Sequence, residues 1–400
     1  MEKKTVRDVD LSNKKVFIRE DFNVPLDSNG NITDYTRIDA ALPTIKYLLE
    51  KNSALVLASH LGRPKGKDPK YSLLPVQKAL SERLGIDVKF VPDCVNDEAK
   101  NAIKSLKPGE VLLLENVRFY KEEEANDENF ARNWAELVDA FVCDAFGSVH
   151  RAHASVEALP RLMKQMGKPA VAGFLVEKEL EYLGKALNDP KRPFVAILGG
   201  SKVSTKIDVI NSLINKVDKL LIGGGMMFTF YKAMGIDIGK SLLEPDYVSV
   251  AFDIIQKSKE KNVSIVLPVD VVVTDSIDNP SKIEVVSKNN IPSDMIGVDI
   301  GPSTIKLFSD EIRGAKTIFW NGPLGVFEKD EFSKGTIEVA KMLASLKDAI
   351  KVIGGGDSAA AVAKAGVESK MTHISTGGGA SLEFVEGKPL PGIVILDDRY

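Results

Sequence analysis

The sequence predicts an α/β protein built as two Rossmann-like domains, each a parallel sheet with helices on both faces, joined by a helix and a hinge. Three observations predict it. Short, near-continuous runs rich in Val, Ile and Leu recur along the whole chain, as strands buried on both faces require. Stretches with helical spacing separate most of them, the alternation that yields parallel strands and right-handed crossovers. The chain has 400 residues, too many for one ordinary core and enough for two.

In order, strands are expected at 16–19, 55–58, 111–114 and 140–143, then at 195–198, 220–222, 265–267, 317–320, 351–353 and 373–375. Helical spacing is clearest at 39–51, 129–138 and 206–215. Midway the loop chemistry changes, from Arg and His before about residue 155 to glycine clusters and Lys after about residue 195. Between these regions, 174–187 (FLVEKELEYLGKAL) reads as one amphipathic helix, stopped by Asn188, Asp189 and Pro190. The domain link is expected there.

The composition is 44% apolar and 27% charged, with 53 basic and 56 acidic residues and a net charge of -3. Such a balance gives no overall attraction to nucleic acid or to an anionic membrane, so any basic site is local. Cys94 and Cys143 are the only cysteines, which suggests neither a disulfide scaffold nor a zinc site. The first eight residues lack the apolar stretch of a signal peptide, and no apolar run approaches the ~18 residues of a membrane helix. A cytoplasmic location is expected. No long exposed apolar element stands out, so a monomer is expected.

In open α/β sheets ligands bind beyond the carboxyl ends of the strands. The unusual residues fall there: Asp21 and Asn23 after the first strand, His60 and Arg63 after the second, Arg118 after 111–114, and His150, Arg151 and His153 after 140–143. Arg37 starts a helix after a turn. Each arginine alone reads as a surface residue. Together, at matched strand ends, they read as a pocket for a small polyanion, because the guanidinium fork matches phosphate and carboxylate oxygens. His150 and His153 alone, without cysteine or carboxylate partners, do not make a metal pair.

The second half carries Gly199-Gly200, Gly223–Gly225, Gly354–Gly356 and Gly377–Gly379, each after an expected strand. Glycine lets backbone N–H groups approach an anion, and a following helix N-terminus adds its dipole. Tight turns explain most isolated glycines, but four clusters at equivalent strand ends favour phosphate. Lys202 and Lys206 stand four apart, on one face if Ser201 opens a helix. Asp357, just after a nest, is a helix cap or a Mg²⁺ contact beside phosphates. The stretch 235–241 (GIDIGKS) is one residue short of a Walker A loop. The pattern at Gly354, Gly356 and Ala359 matches a dinucleotide fingerprint but lacks the acidic ribose hook at the end of the next strand.

Taken together, REDFNVP at 19–25, HLGRP at 60–64, DAFGSVHRAHAS at 144–155, GGSKVSTK at 199–206, WNGPLGVFE at 320–328, GGGDS at 354–358 and STGGGASLE at 375–383 resemble the phosphoglycerate kinase family over essentially the whole chain. The resemblance implies a phosphoglycerate-binding domain at 1–172, a linker helix at 173–187, a nucleotide-binding domain at 188–380, and a tail, 381–400, that folds back on the first domain. It implies that Asp21, Phe22, Asn23, Arg37, His60, Leu61, Gly62, Arg63, Arg118 and Arg151 bind 3-phosphoglycerate or 1,3-bisphosphoglycerate. It places ATP or ADP at Lys206, Gly223, Gly224, Gly297, Asn321, Glu328, Gly355, Gly356, Asp357 and Ser358, with Mg²⁺ on Asp357. Arg37, Lys202, Lys206, Gly356 and Gly379 would serve the transfer itself. Glu20 stands where the family more often has an apolar residue, and 397–400 looks like a private extension.

The chemistry agrees. Phosphoryl transfer needs positioning and charge stabilisation. No general base is obvious among the motifs, and a carboxylate acceptor, ionised above ~4, needs none. An NAD-dependent oxidoreductase and a non-catalytic sugar-phosphate sensor are the alternatives. The first is opposed by the missing ribose hook, the second by the presence of Lys202, Lys206 and Asp357.

Overall fold

The computed structural model describes residues 2–400. The chain forms two compact units: Met1–Leu180 with Pro389–Tyr400, and Glu181–Lys388.

The first unit holds strands β1 (Lys15–Arg19), β2 (Ala54–Ala58), β3 (Lys89–Val91), β4 (Val111–Leu114), β5 (Ala140–Cys143) and β6 (Ala170–Ala172). They form one parallel sheet in the order β3-β4-β2-β1-β5-β6. Both faces are covered. Val16 and Ile18 pack among Ile38, Ile45 and Leu48 of the helix Thr36–Glu50. Phe17 points the other way, stacking on Phe141 and packing at a tilt against Trp134, as the twofold alternation of a strand demands. β3 and β6 were not expected. One mixes Lys with Phe and Val, and the other is rich in alanine, so neither carries a strong strand pattern.

The second unit holds β7 (Phe194–Leu198), β8 (Lys219–Ile222), β9 (Ser264–Val266), β10 (Asp270–Thr274), β11 (Ile283–Ser287), β12 (Ile296–Ile300), β13 (Thr317–Asn321), β14 (Ile350–Gly354) and β15 (His373–Ile374). Six make a parallel sheet in the order β15-β14-β13-β7-β8-β9. β10, β11 and β12 form a separate antiparallel sheet absent from the sequence expectation. In β11 the side chains alternate between exposed and half-buried, the pattern of a one-sided strand. The small sheet shares one core with the parallel sheet: Val271, Val273 and Ile300 cluster with Val195, Ile197, Ile318, Trp320 and Ile353, and with Phe308 of the helix Pro302–Ile312.

The linker is helical throughout but not uniform. Phe174–Glu179 is α-helical, Leu180–Lys185 widens into a π-helical turn, and Ala186–Asn188 closes the run. Residues 381–388, expected in the returning tail, stay with the second unit: Ser212 Oγ donates to the Val385 carbonyl at 2.7 Å, and Lys388 pairs with Asp208 at 3.1 Å. The end of the chain is stitched into the first unit. Asp397 N–H donates to the Ala170 carbonyl (2.8 Å), Lys3 pairs with Asp398 (2.7 Å), and Arg399 pairs with Asp8 (2.9 Å). Among the described residues no helix is long and apolar enough to cross a membrane.

Candidate active site

In the first unit the expected residues lie on one rim, beyond the carboxyl ends of β1, β2, β4 and β5. Arg37, in the first turn of Thr36–Glu50, donates through Nη1 to Asp21 Oδ1 (3.2 Å) and to the Asn23 carbonyl (2.9 Å). Asn23 Oδ1 accepts the Gly62 N–H at 2.8 Å. Arg118 Nη1 donates to the Gly62 carbonyl at 3.0 Å. Asp21, Asn23, Arg37, Gly62 and Arg118 therefore form one hydrogen-bonded chain across three strand ends. Arg63 and Arg151 are solvent-exposed. Arg151 Nε reaches His150 Nε2 at 3.3 Å.

Two expected contacts sit differently. The side chains of Phe22 and Leu61 lie in the hydrophobic core, 0% and 4% exposed, so only their backbones can face a ligand. Phe22 N–H is already held by Ser59 Oγ at 2.8 Å.

Burial and neighbouring cations tune the rim. His60 is driven well below its ordinary pKa by burial and then by Arg19, Arg118 and Arg37. His153 is lowered to about 4 by burial, with Arg118 and Arg19 adding to it. Arg118 is also lowered by its burial. Neutral imidazoles among arginines are the expected result, since each added positive charge there is opposed.

Sequence reasoning missed what lies beneath. Arg19, the last residue of β1, is fully buried, and so are Glu20 and Glu123. Arg19 Nε donates to Ser155 Oγ (2.7 Å), and Ser155 Oγ donates to Glu123 Oε2 (2.7 Å). Among the described residues neither carboxylate oxygen of Glu20 has a hydrogen-bond partner. Burial, then Asp144 and Asp21, raises the Glu20 carboxyl well above its ordinary range. Asp144 is itself raised to about 7 by burial, against hydrogen bonds from Thr44 and Leu175 N–H. The charged run Arg19-Glu20-Asp21 at the end of an apolar strand was the available signal.

In the second unit a cavity of about 620 Å³ opens at the carboxyl end of the sheet, beside the β7–β13 boundary where strand order reverses. Lys206, Gly224, Gly297, Asn321, Glu328, Gly355, Gly356, Asp357, Ser358 and Gly379 line it. Gly223 does not. It continues β8, and its N–H bonds to the Leu198 carbonyl at 2.9 Å. Met227, Phe228, Leu242, Val298, Leu324 and Val326 form an apolar wall that the sequence left unplaced. Part of that wall comes from β12 and the turn after β13, whose pairing was not foreseen.

The two lysines do not share a helix face. Residues 201–206 form turns, and the helix Ile207–Ile214 begins after Lys206. Lys206 reaches into the cavity wall and donates to Asn321 Oδ1. Asn321 Nδ2 donates to the Gly354 carbonyl at 2.8 Å, which fixes which way the amide faces. Burial lowers the Lys206 pKa, and Asp357 and Glu386 counter it. Lys202 is exposed and outside the cavity wall.

The glycine clusters divide into two kinds. A Cβ on Gly199 would lie 2.0 Å from the Pro323 carbonyl oxygen, and one on Gly322 would lie 2.4 Å from the Gly199 oxygen. These glycines allow two backbones to cross. A Cβ on Gly356 or Gly378 meets nothing within 4 Å. The helix Gly356–Lys364 is capped by Gly355, so Asp357 is not the cap but an exposed residue of its first turn. A single carboxylate beside open N–H groups fits Mg²⁺ that arrives with phosphates, since that ion keeps few protein ligands.

The family model described as phosphoglycerate kinase matches residues 6–388. The chain is 56% identical over 396 residues to phosphoglycerate kinase 3, cytosolic, of Arabidopsis thaliana, covering 98% of each. It is 55% identical over 403 residues to the phosphoglycerate kinase of Chlorobaculum tepidum, covering 100% of both. The solved structure of phosphoglycerate kinase from Coxiella burnetii superposes with a TM-score of 0.90 at 42% identity, covering 98% of each chain.

Proposed function

This chain belongs to the phosphoglycerate kinase family, and we propose how its two half-sites divide the reaction it catalyses, the reversible phosphoryl transfer between 1,3-bisphosphoglycerate and ADP that gives 3-phosphoglycerate and ATP in glycolysis. The first unit binds the phosphoglycerate. Arg63, Arg118, Arg151 and His60 hold its anionic oxygens, and Asp21 and Asn23 hold Arg37 towards the transferring group. The observation that carries this assignment is the hydrogen-bonded chain from Asp21 through Arg37, Asn23 and Gly62 to Arg118, which ties the cations of separate strand ends into one array.

The second unit binds the nucleotide. The apolar wall around Phe228 and Leu324 suits the base, Glu328 the ribose, and the N–H groups near Gly355, Gly356 and Gly379 the phosphates. Lys206, oriented by Asn321, neutralises charge on the transferring group, a role worth several kcal/mol where water is excluded. Lys202 joins it only by swinging inward. Asp357, together with the phosphates, would hold Mg²⁺, which when bound would supply further charge neutralisation. No group of the chain needs to accept a proton, because the acceptor carboxylate is already ionised.

In-line transfer requires the reacting atoms within roughly 3 Å. We assign the necessary closure to motion about the helical run Phe174–Asn188, with the wide turn at Leu180–Lys185 as its compliant part. Small-angle scattering should show compaction only when both ligands are present. We further infer a cytoplasmic monomer without nucleic-acid or membrane partners. Light scattering tests the oligomeric state, and fractionation tests the location.

The deciding assay couples 3-phosphoglycerate and MgATP to NADH loss through glyceraldehyde-3-phosphate dehydrogenase. Arg37→Ala and Lys206→Ala should each lower kcat by about 10²-fold or more while leaving the fold intact. Full activity in either variant would remove that residue from the transfer step.

A further inference from the structure

Arg19 is a fully buried cation with no place in the transfer chemistry. Its donors are divided among three acceptors. Nε goes to Ser155 Oγ at 2.7 Å, Nη1 to the Glu20 carbonyl, and Nη2 to His60 Nδ1 at 3.0 Å. Behind it the buried Glu123 carboxylate accepts both the Ser155 hydroxyl (2.7 Å) and the Ser155 N–H (2.5 Å). Glu123 is thus the counter-charge that a buried guanidinium requires, relayed through one hydroxyl.

A guanidinium has five donors and no acceptor. The contact between Nη2 and Nδ1 can therefore run in one direction only: Nδ1 accepts, the ring is neutral, and its proton sits on Nε2. Among the described residues no group pairs with His60 Nε2. We propose that Arg19 is a positioning residue for the phosphoglycerate half-site, holding His60 as the neutral Nε2–H tautomer so that the imidazole presents a fixed donor to an anionic oxygen of the substrate. The proposal rests on the reading of His60 as a substrate ligand.

The surroundings point the same way. Arg19, Arg118, Arg37 and His153 all oppose a positive charge on the His60 ring, and burial opposes it more. None of the nearby acids hydrogen-bonds to His60: among the described residues the Glu20 carboxylate has no partner, Asp21 accepts from Arg37 and the Asn23 N–H, Asp144 from the Leu175 N–H, and Glu123 from Ser155. His60 and Arg19 stand at the ends of neighbouring strands, where Arg19 is in register with Ala58, so the sheet itself sets their separation. A neutral donor adds directionality to a rim whose net charge already comes from arginines, and its hydrogen bond does not vary with pH through the ordinary imidazole range.

The chain has four histidines, so ¹⁵N-histidine labelling of the intact enzyme gives a resolvable spectrum, and His60→Gln identifies the His60 signals. Long-range ¹⁵N–¹H correlation should show the neutral Nε2–H pattern from about pH 8 to about pH 5.5, across the ordinary imidazole pKa of ~6.5. Titration of His60 within that span, or a proton on Nδ1, would overturn the proposal. The tautomer is read on the wild-type protein, with His60→Gln used only to assign the signals, so the result does not depend on how a variant folds. Adding 3-phosphoglycerate should shift the Nε2 signal. An intact tautomer with no such shift would instead retire His60 as a ligand, a distinguishable failure that also removes the proposal.

Arg19→Lys keeps the charge but loses the fork. It should leave His60 as mixed tautomers, raise the KM for 3-phosphoglycerate about tenfold, and make that KM pH-dependent near neutrality, with kcat changed less than about threefold. Ser155→Ala, which frees Arg19 Nε without touching His60, should do the same more weakly. An unaltered tautomer and KM in both variants, or a loss of kcat with no new pH dependence in KM, would overturn the positioning role.

Discussion

Two alanine substitutions in the nucleotide cradle should have opposite effects, and the structure gives the reason. Gly224 has φ +73°, and an added Cβ would lie 2.6 Å from both the N and O of Gly200 and 2.8 Å from the Pro323 oxygen. All three are backbone atoms that cannot turn aside. The left-handed conformation costs a non-glycine residue about 1–2 kcal/mol, and overpacking adds about 1–3 kcal/mol. Gly224→Ala should therefore destabilise the protein by about 2–5 kcal/mol. Gly356 begins a helix, and its Cβ would meet nothing within 4 Å. Gly356→Ala should leave stability unchanged or raise it by up to ~1 kcal/mol, while a methyl on the cavity wall raises the KM for MgATP about tenfold, or ~1.4 kcal/mol. Urea unfolding at constant m-value measures the first effect, and the coupled assay measures the second. A Gly224→Ala protein as stable as the parent would refute the claim that crossing backbones dictate this glycine. A Gly356→Ala protein with unchanged nucleotide KM would refute the assignment of the open glycines to phosphate.

Glu20→Val should stabilise the first unit, and more so at pH 8 than at pH 5. The carboxyls of Glu20 and Asp144 have folded pKa values above their unfolded ones, Asp144 at about 7, so the folded state binds extra protons and stability falls as pH rises through that range. Removing one acid should gain about 1–4 kcal/mol where both would otherwise be ionised, and urea midpoints that do not depend on pH in either protein would contradict this. Native Cys94 and Cys143 should not react with a thiol reagent at neutral pH until the protein unfolds, because burial holds Cys94 well above its ordinary pKa and Cys143 at about 12; fast labelling of the folded protein would count against the buried placement. Asp357→Asn should raise the Mg²⁺ concentration needed for half-maximal turnover about tenfold or more with little change in stability, and an unaltered Mg²⁺ dependence would move the metal contact elsewhere.

The elements read correctly from sequence were those with a strong local pattern. β1, β2, β4, β5, β7, β8, β13 and β14 are largely buried, mostly apolar runs, and each lies within a residue of its expected place. Of the elements missed, β3 and β6 had none, whereas β10, β11 and β12 carry Val and Ile runs that the sequence reading passed over. Lys89–Val91 and Ala170–Ala172 are strands because the neighbouring strands offer them unpaired edges, not because their residues favour extension. The turn at 201–206 misled in another way. Lysines four apart suggest a helix face, but the Gly200 conformation (φ +112°) and the crossing at Pro323 hold the segment out of the helix, and only Lys206 reaches the site.

The sequence by itself determined the fold class and put most of the proposed binding residues at strand ends, because strand patterning is local and ligands gather beyond the carboxyl ends of strands in sheets of this type. It could not determine which residues act through others. Arg19, Ser155 and Glu123 are separated by up to 136 positions and meet only because β1 lies beside β2 and β5. Asn321 orients Lys206 across 115 positions for the same kind of reason, since β13 and β7 are neighbours. Strand order is a long-range outcome of packing both faces of a sheet at once, and the partners of a buried charge follow from that order rather than from spacing along the chain.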